Sequence, residues 1–222
     1  MDPTPFTSKK ITDIIKLLIV CDIILLLIYW LDAALGRPSV TLNLLFDLDL
    51  EANIPTWYSS TQLFAIGLSF WFIARFAWQG DIKVEHLLLI LAAAFVYFSL
   101  DECAGIHEKI TGTLRRFDML LHFKGSHGIW IPLYLSAGAV FCAVFFRQGL
   151  ALYHAYPREV WLFIAGAGIF LFGTVVMEVL GYEFSPGHVK NLFYFVENGV
   201  EEFSEMLGES IMLWGALCVL KK

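Results

Sequence analysis

Charge is scarce in this sequence. Asp, Glu, Lys and Arg make up 16% of 222 residues, against about 25% in a soluble domain. That shortage, with 58% hydrophobic residues and a mean hydropathy of +0.69, excludes an ordinary soluble fold and predicts a polytopic membrane protein. The length suits a single integral-membrane helical domain over 1–222 with little room for a soluble one. Cysteine is scarce too. Cys21, Cys103, Cys142 and Cys218 form no CxxC pair, which argues against a disulfide framework. With a net charge of −6, no nucleic-acid partner is expected.

Other absences narrow the field. No Lys lies in a late helix interior, which argues against a retinal Schiff base, and His86 and His154 lack facing histidines for a haem. No organic cofactor is therefore expected. Internal repeats and low-complexity stretches are missing. The apolar run Ile11 to Leu31 has no small-x-small cleavage site after it. It also exceeds the roughly 7–15 residues of a signal-peptide core, so it reads as a span.

What is present is apolar length. Runs of about 17–25 residues predict helices near 12–34, 60–78, 84–108, 128–147, 159–181 and 197–220. The fold class is all-α: a polytopic transmembrane bundle of about six helices with an amphipathic interfacial segment around Phe117 to Phe123. Trp57 and Tyr58 suit a headgroup anchor at the start of the second helix. Six spans put both termini on one side. That side collects Lys9, Lys10, Lys16, Arg75, Lys83, Arg147, Arg158, Lys221 and Lys222, against Arg37, Lys109, Arg115, Arg116, Lys124 and Lys190. The excess favours N-in/C-in in a bacterial inner membrane.

The acids sort more sharply than the bases. Most Asp and Glu, with His107, His122, His127 and His188, fall at the end opposite the termini. On the last helix Asn198, Glu202, Glu205 and Glu209 lie within an arc of roughly 60°. Each acid inside a span costs roughly 2.5–3.5 kcal/mol on insertion scales, so such a row demands metal, protons or cations. Glu197 and Glu201 beside it suit the headgroups. If the third helix runs on to Glu108, Asp101 and Glu108 are nearly eclipsed, with Gly105 between them and Glu102 and His107 flanking. A solvated helix end reads equally from those residues. Glu178 is a lone acid late in the fifth helix, before a candidate C-cap at Gly181. His122 and His127 stand at the mouth of the fourth helix. Glu51 and Asn53 could cap the cluster from an outer loop.

Three stretches carry a resemblance: Phe46-Asp-Leu-Asp-Leu-Glu-Ala-Asn-Ile-Pro-Thr-Trp-Tyr-Ser-Ser60, Phe98-Ser-Leu-Asp-Glu-Cys-Ala-Gly-Ile-His-Glu108 and Glu201-Glu-Phe-Ser-Glu-Met-Leu-Gly-Glu209. In that order they resemble an uncharacterised group of bacterial polytopic membrane proteins. The resemblance implies a membrane location and no assigned activity.

The residues thus predict a carboxylate/His site at one end of the bundle. Its candidate ligands are Asp101, Glu102, His107, Glu108, His122, Glu178, Glu202, Glu205 and Glu209. Such nitrogen/oxygen sets suit a divalent metal ion (Zn, Fe or Mn), which could activate water or dioxygen toward a lipid-like, hydrophobic substrate. The alternatives are a proton- or cation-coupled transporter or channel, and a non-catalytic subunit of a larger membrane complex. Expected partners are the lipid bilayer, a hydrophobic substrate, and a membrane-protein partner or homo-oligomer.

Overall fold

The computed structural model describes residues 7–116, 123, 128–184 and 191–221. Its regular structure is helical, with no strand among the described residues. Six helices are long and apolar enough to cross a membrane. The interfacial segment expected around 117–123 lies almost wholly outside the described residues, as do His122, His127 and His188.

Local chemistry sets the helix starts. Thr7 caps α1 (Ser8–Ala34), and Ser39 caps the short α2 (Val40–Phe46). Asn53 accepts the Thr56 amide at 3.1 Å, and Pro55 fits the first turn. The second span, α3 (Ile54–Phe72, continued by a π turn over Ile73–Ala77), therefore begins about a turn and a half earlier than the apolar run predicts. Asp81 caps α4 (Ile82–Ala104). Pro157 opens α7 (Pro157–Leu171), and Asn191 caps α9 (Leu192–Leu220). Between them lie α6 (Trp130–Ala155) and α8 (Glu178–Phe184), which a π segment over Phe172–Met177 joins to α7.

The third span departs from expectation at its end. Gly105 adopts φ +53°, terminates α4 and starts α5 (Ile106–Leu114). An L residue pays roughly 1–2 kcal/mol there. The helix does not continue, so Asp101 and Glu108 do not share a face.

α9 is the hub, packed against α1, α3 and α7, while α3 also pairs with α4. Its contact with α7 is a glycine seam. A Cβ at Gly166 would meet the Gly208 carbonyl at 2.6 Å, one at Gly173 the Glu201 carbonyl at 2.7 Å, and one at Gly215 the Glu159 carbonyl at 2.7 Å. Small residues let membrane helices gain van der Waals contact where lipid offers no hydrophobic drive. Below the middle of α9, Met212, Leu213 and Ala216 join Ile66, Phe70, Leu88 and Phe95 in the main core. Side chains such as Leu17, Leu27, Val140 and Phe146 stay exposed, as a bilayer-facing surface requires. The N-terminus of α1 meets the C-terminus of α9 through Lys221 and Ser8, so both chain ends share one face.

Candidate functional site

The site forms where α3, α4, α8 and α9 converge at the end opposite the termini. Glu202, Glu205, Glu209, Met212, Ala216 and Val219 follow one another at alternating steps of three and four, one continuous face of α9. Its upper half is acidic and its lower half apolar. Glu209 is fully buried. Its Oε1 accepts the Ser59 hydroxyl at 2.8 Å, and its Oε2 has no partner. Glu205 interacts electrostatically with Glu102 of α4 and Glu178 of α8, with the Thr174 hydroxyl nearby, itself donating to the Phe170 carbonyl at 3.0 Å. Glu202 feels Glu205, Glu102 and Glu178 as well as Asp49 of the α2–α3 loop.

The π segment delivers two of these groups. A Cβ at Gly173 would strike the Glu205 Cγ at 2.8 Å, so the wide turn sits tight on α9 and brings Thr174 and Glu178 beside the row. Such π bulges are frequent at functional sites. Tyr182 donates to Glu178, whose carboxyl lies close to that of Glu201. Glu197 adjoins Glu201 in turn. Two carboxyl groups that approach this closely favour sharing a proton. Glu197 and Glu201 are 6% and 8% exposed, so they face protein and not solvent. Gly181 lies inside α8 against the Glu197 carboxyl, not at a helix C-cap.

Asp101 belongs to a neighbouring cluster. Its Oδ1 accepts the His107 amide at 2.8 Å and lies 3.0 Å from His107 Nδ1, while Oδ2 accepts the Tyr134 hydroxyl at 2.9 Å. The His107 ring packs edge-on to Trp130 at 4.9 Å. Burial opposes the charged imidazole. The Asp101 hydrogen bond and charge, reinforced by Glu178 and Glu108, outweigh it, and the pKa rises above the ordinary 6.5. Glu108 is exposed on α5, away from the α9 row. Glu51 sits on the Gly105 break, where a Cβ would meet its Oε1 at 2.5 Å. Burial and then Glu108 raise its carboxyl above the ordinary value.

The rim is tied down by the α1–α3 connection. Arg37 grips Asp47 at 2.5 and 3.1 Å and lies over the rings of Tyr29 and Phe195. Asp49 accepts from Tyr194 and from Asn198 Nδ2, the latter at 3.2 Å. Asn53 caps α3 and donates to the Asp47 carbonyl at 2.6 Å. Among the described residues the ion pairs are Arg37–Asp47, Arg75–Glu85 and His107–Asp101. None engages Glu102, Glu178, Glu202, Glu205 or Glu209. The floor is aromatic: Phe163 packs on Phe70 at 5.2 Å and on Phe95 at 5.8 Å.

The sequence-predicted residues therefore divide. Glu102, Glu178, Glu202, Glu205 and Glu209 come together. Asp101 and His107 pair beside them, Glu108 lies exposed on α5 within electrostatic reach of His107 and Glu51, and His122 lies outside the described residues. Among the described residues, no three or more His, Cys, Asp or Glu side chains are placed to hold a metal ion. Sequence reasoning missed Ser59, Thr174 and Tyr134 as partners. It also placed Tyr58 at the headgroups, whereas its hydroxyl reaches inward to Asp22 at 2.7 Å. The polar stretch Ser59-Ser60-Thr61-Gln62, opening an otherwise apolar span, was the available signal.

Fold and site together define an integral-membrane helical bundle with interior carboxylates gathered at one end. The chain belongs to the family described as Domain of unknown function (DUF8692), whose model matches residues 17–220. No curated protein and no solved structure matches it.

Proposed function

We propose that this protein is a cation- or proton-coupled membrane transporter, with the carboxylate chamber as its entry site. One observation carries the reading: the acidic row does not stop at the rim. It continues through Glu209, fully buried, toward Asp22, Gln62 and Ser210, which are buried in turn on α1, α3 and α9. Buried carboxylates with no basic partner among the described residues call for protons or cations, and intramembrane acids commonly mark ion pathways. The chamber's wall acids would attract a cation, and their shared protons would leave as it enters. We assign the chamber to the extracytoplasmic face, with both termini inside, on the balance of basic residues.

The test is ion flux. Proteoliposomes carrying an interior pH dye are challenged in turn with gradients of Na⁺, K⁺, Ca²⁺ and Mn²⁺. A gradient-driven pH change that Glu209→Gln abolishes supports transport. No pH change and no ion uptake with any of the four overturns it.

A second reading is a divalent-metal centre (Zn, Fe or Mn) acting on a hydrophobic substrate. The Asp101–His107 pair, with Glu178 nearby, favours it, because a carboxylate that fixes an imidazole tautomer is a common support for a metal ligand. Elemental analysis of the purified protein decides this: stoichiometric metal lost in Glu205→Gln supports it, and its absence rejects it.

A further inference from the structure

A shortage of hydrogens in the bundle interior points to a bound proton. The Tyr58 hydroxyl lies 2.7 Å from Asp22 Oδ1 and 2.9 Å from the Leu18 carbonyl oxygen. The Ser210 hydroxyl lies 3.0 Å from Asp22 Oδ2 and 2.9 Å from Gln62 Oε1. Two hydroxyl hydrogens thus face four acceptors, and each hydroxyl has one hydrogen to give. Asp22 is fully buried and Gln62 is 3% exposed, so bulk water is not there to supply the rest.

One shortfall has a simple remedy. Gln62 Nε2 faces Asp22 without a well-formed hydrogen bond, and amide oxygen and nitrogen are interchangeable assignments. Turning the amide over lets Nε2 donate to Ser210 Oγ, which frees the Ser210 hydrogen for Asp22 Oδ2. The second shortfall has no such remedy, because both neighbours of the Tyr58 hydroxyl are fixed oxygens. A hydrogen on Asp22 Oδ1 resolves it. Asp22 then donates to Tyr58, and Tyr58 donates to the Leu18 carbonyl.

The groups facing this site from the packed helices are Tyr58, Gln62, Ser210 and Glu209, with Cys21 beside Tyr58 on α1. None is basic. Glu209 supplies the connection outward. Its unpartnered Oε2 is a vacant acceptor, its other oxygen holds Ser59, and Ser59 also reaches Glu102 in the chamber. Glu209 adjoins Ser210 in sequence, and Ser59 adjoins Tyr58.

We propose that Asp22 is an interior proton-binding site, loaded from the outer carboxylates through Glu209, and that the proton is the coupling ion. The coupling half rests on the transport reading above, whereas the binding half does not. In the loading step a proton leaves a chamber carboxyl, is held on Glu209 and then on Asp22, two groups within electrostatic reach of each other. Glu209 returns to its starting state and no other bond changes.

Infrared titration of the full-length protein in H₂O and D₂O tests the binding half. The wild-type spectrum minus that of Asp22→Asn is expected to contain a deuterium-sensitive protonated-carboxyl band. The band shifts in Tyr58→Phe, which removes its acceptor, and is untouched by Asp13→Asn on the exposed face of α1. No such band at any pH overturns the proposal. Should Asp22→Asn fail to fold, wild type against Tyr58→Phe carries the same test, and an unshifted spectrum is the negative result. Proton-driven uptake lost in Asp22→Asn supports coupling. A band with no flux in the wild type upholds the proton site and overturns the transport reading.

Discussion

At the scale of single residues, burial and hydrogen-bond supply decide roles that residue type leaves open. Tyr58 has the composition of a headgroup anchor and the position of an interior ligand to Asp22, while its neighbour Trp57 is 66% exposed. Only the helix phase, set by the Asn53 cap, separates them. Gly105 is required by its backbone. Gly105→Ala should cost about 1–2 kcal/mol from φ alone, and more as its Cβ displaces Glu51. A detergent melting curve indistinguishable from wild type would contradict this. His107 makes a pH prediction. Its folded pKa is raised, so its stabilisation is fully present below the unfolded imidazole value and is lost as pH rises through the folded value. Glu51 is raised as well and acts with the same sign. The stability gap between wild type and His107→Gln should therefore be widest in mildly acidic buffer and narrow toward alkaline pH. A gap that stays constant across the titration rejects the ion-pair account.

At the scale of elements, apolar length made the six spans legible, and periodicity placed Glu202, Glu205 and Glu209 on one face. What periodicity could not supply was the break at Gly105 and the π segment at Phe172–Met177. Both change helix phase partway along, and phase assumed constant is the basis of any helical projection. The break moves Glu108 off the Asp101 face onto α5, and the π segment brings Thr174 near Glu205. The α7–α9 seam was written in the sequence as Gly166 and Gly173 against Gly208 and Gly215, each pair seven apart. It could not be read without knowing which helices meet. Gly208→Ala would place a Cβ 2.6 Å from the Phe170 amide. Overpacking of this kind costs about 1–3 kcal/mol, and the separation should also disturb Glu205. Unchanged stability together with unchanged flux would show that the seam is more compliant than its spacing implies.

For the whole molecule, composition pointed to the membrane, and the sorting of acids pointed to the end where Glu102, Glu178, Glu202, Glu205 and Glu209 gather. The partners of those acids were not legible, because they come from helices distant in sequence: Ser59 lies 150 residues from Glu209. The proposed orientation gives a direct check. Cys103, exposed near the acid-rich end of α4, should react with a membrane-impermeant maleimide on intact cells or right-side-out vesicles. Labelling only after permeabilisation would reverse the topology and put the chamber inside.

The aromatic floor beneath the chamber carries a kinetic consequence. Phe70, Phe95 and Phe163 interlock below the carboxylates, so under the proposed transport an ion held there would meet a low-dielectric wall. Its crossing would then need the helices to part at Phe163, a rearrangement in the microsecond-to-millisecond range of helix motion. Turnover would then be paced by the protein changing shape, one load at a time, and single-molecule conductance should stay silent even where bulk flux is measurable.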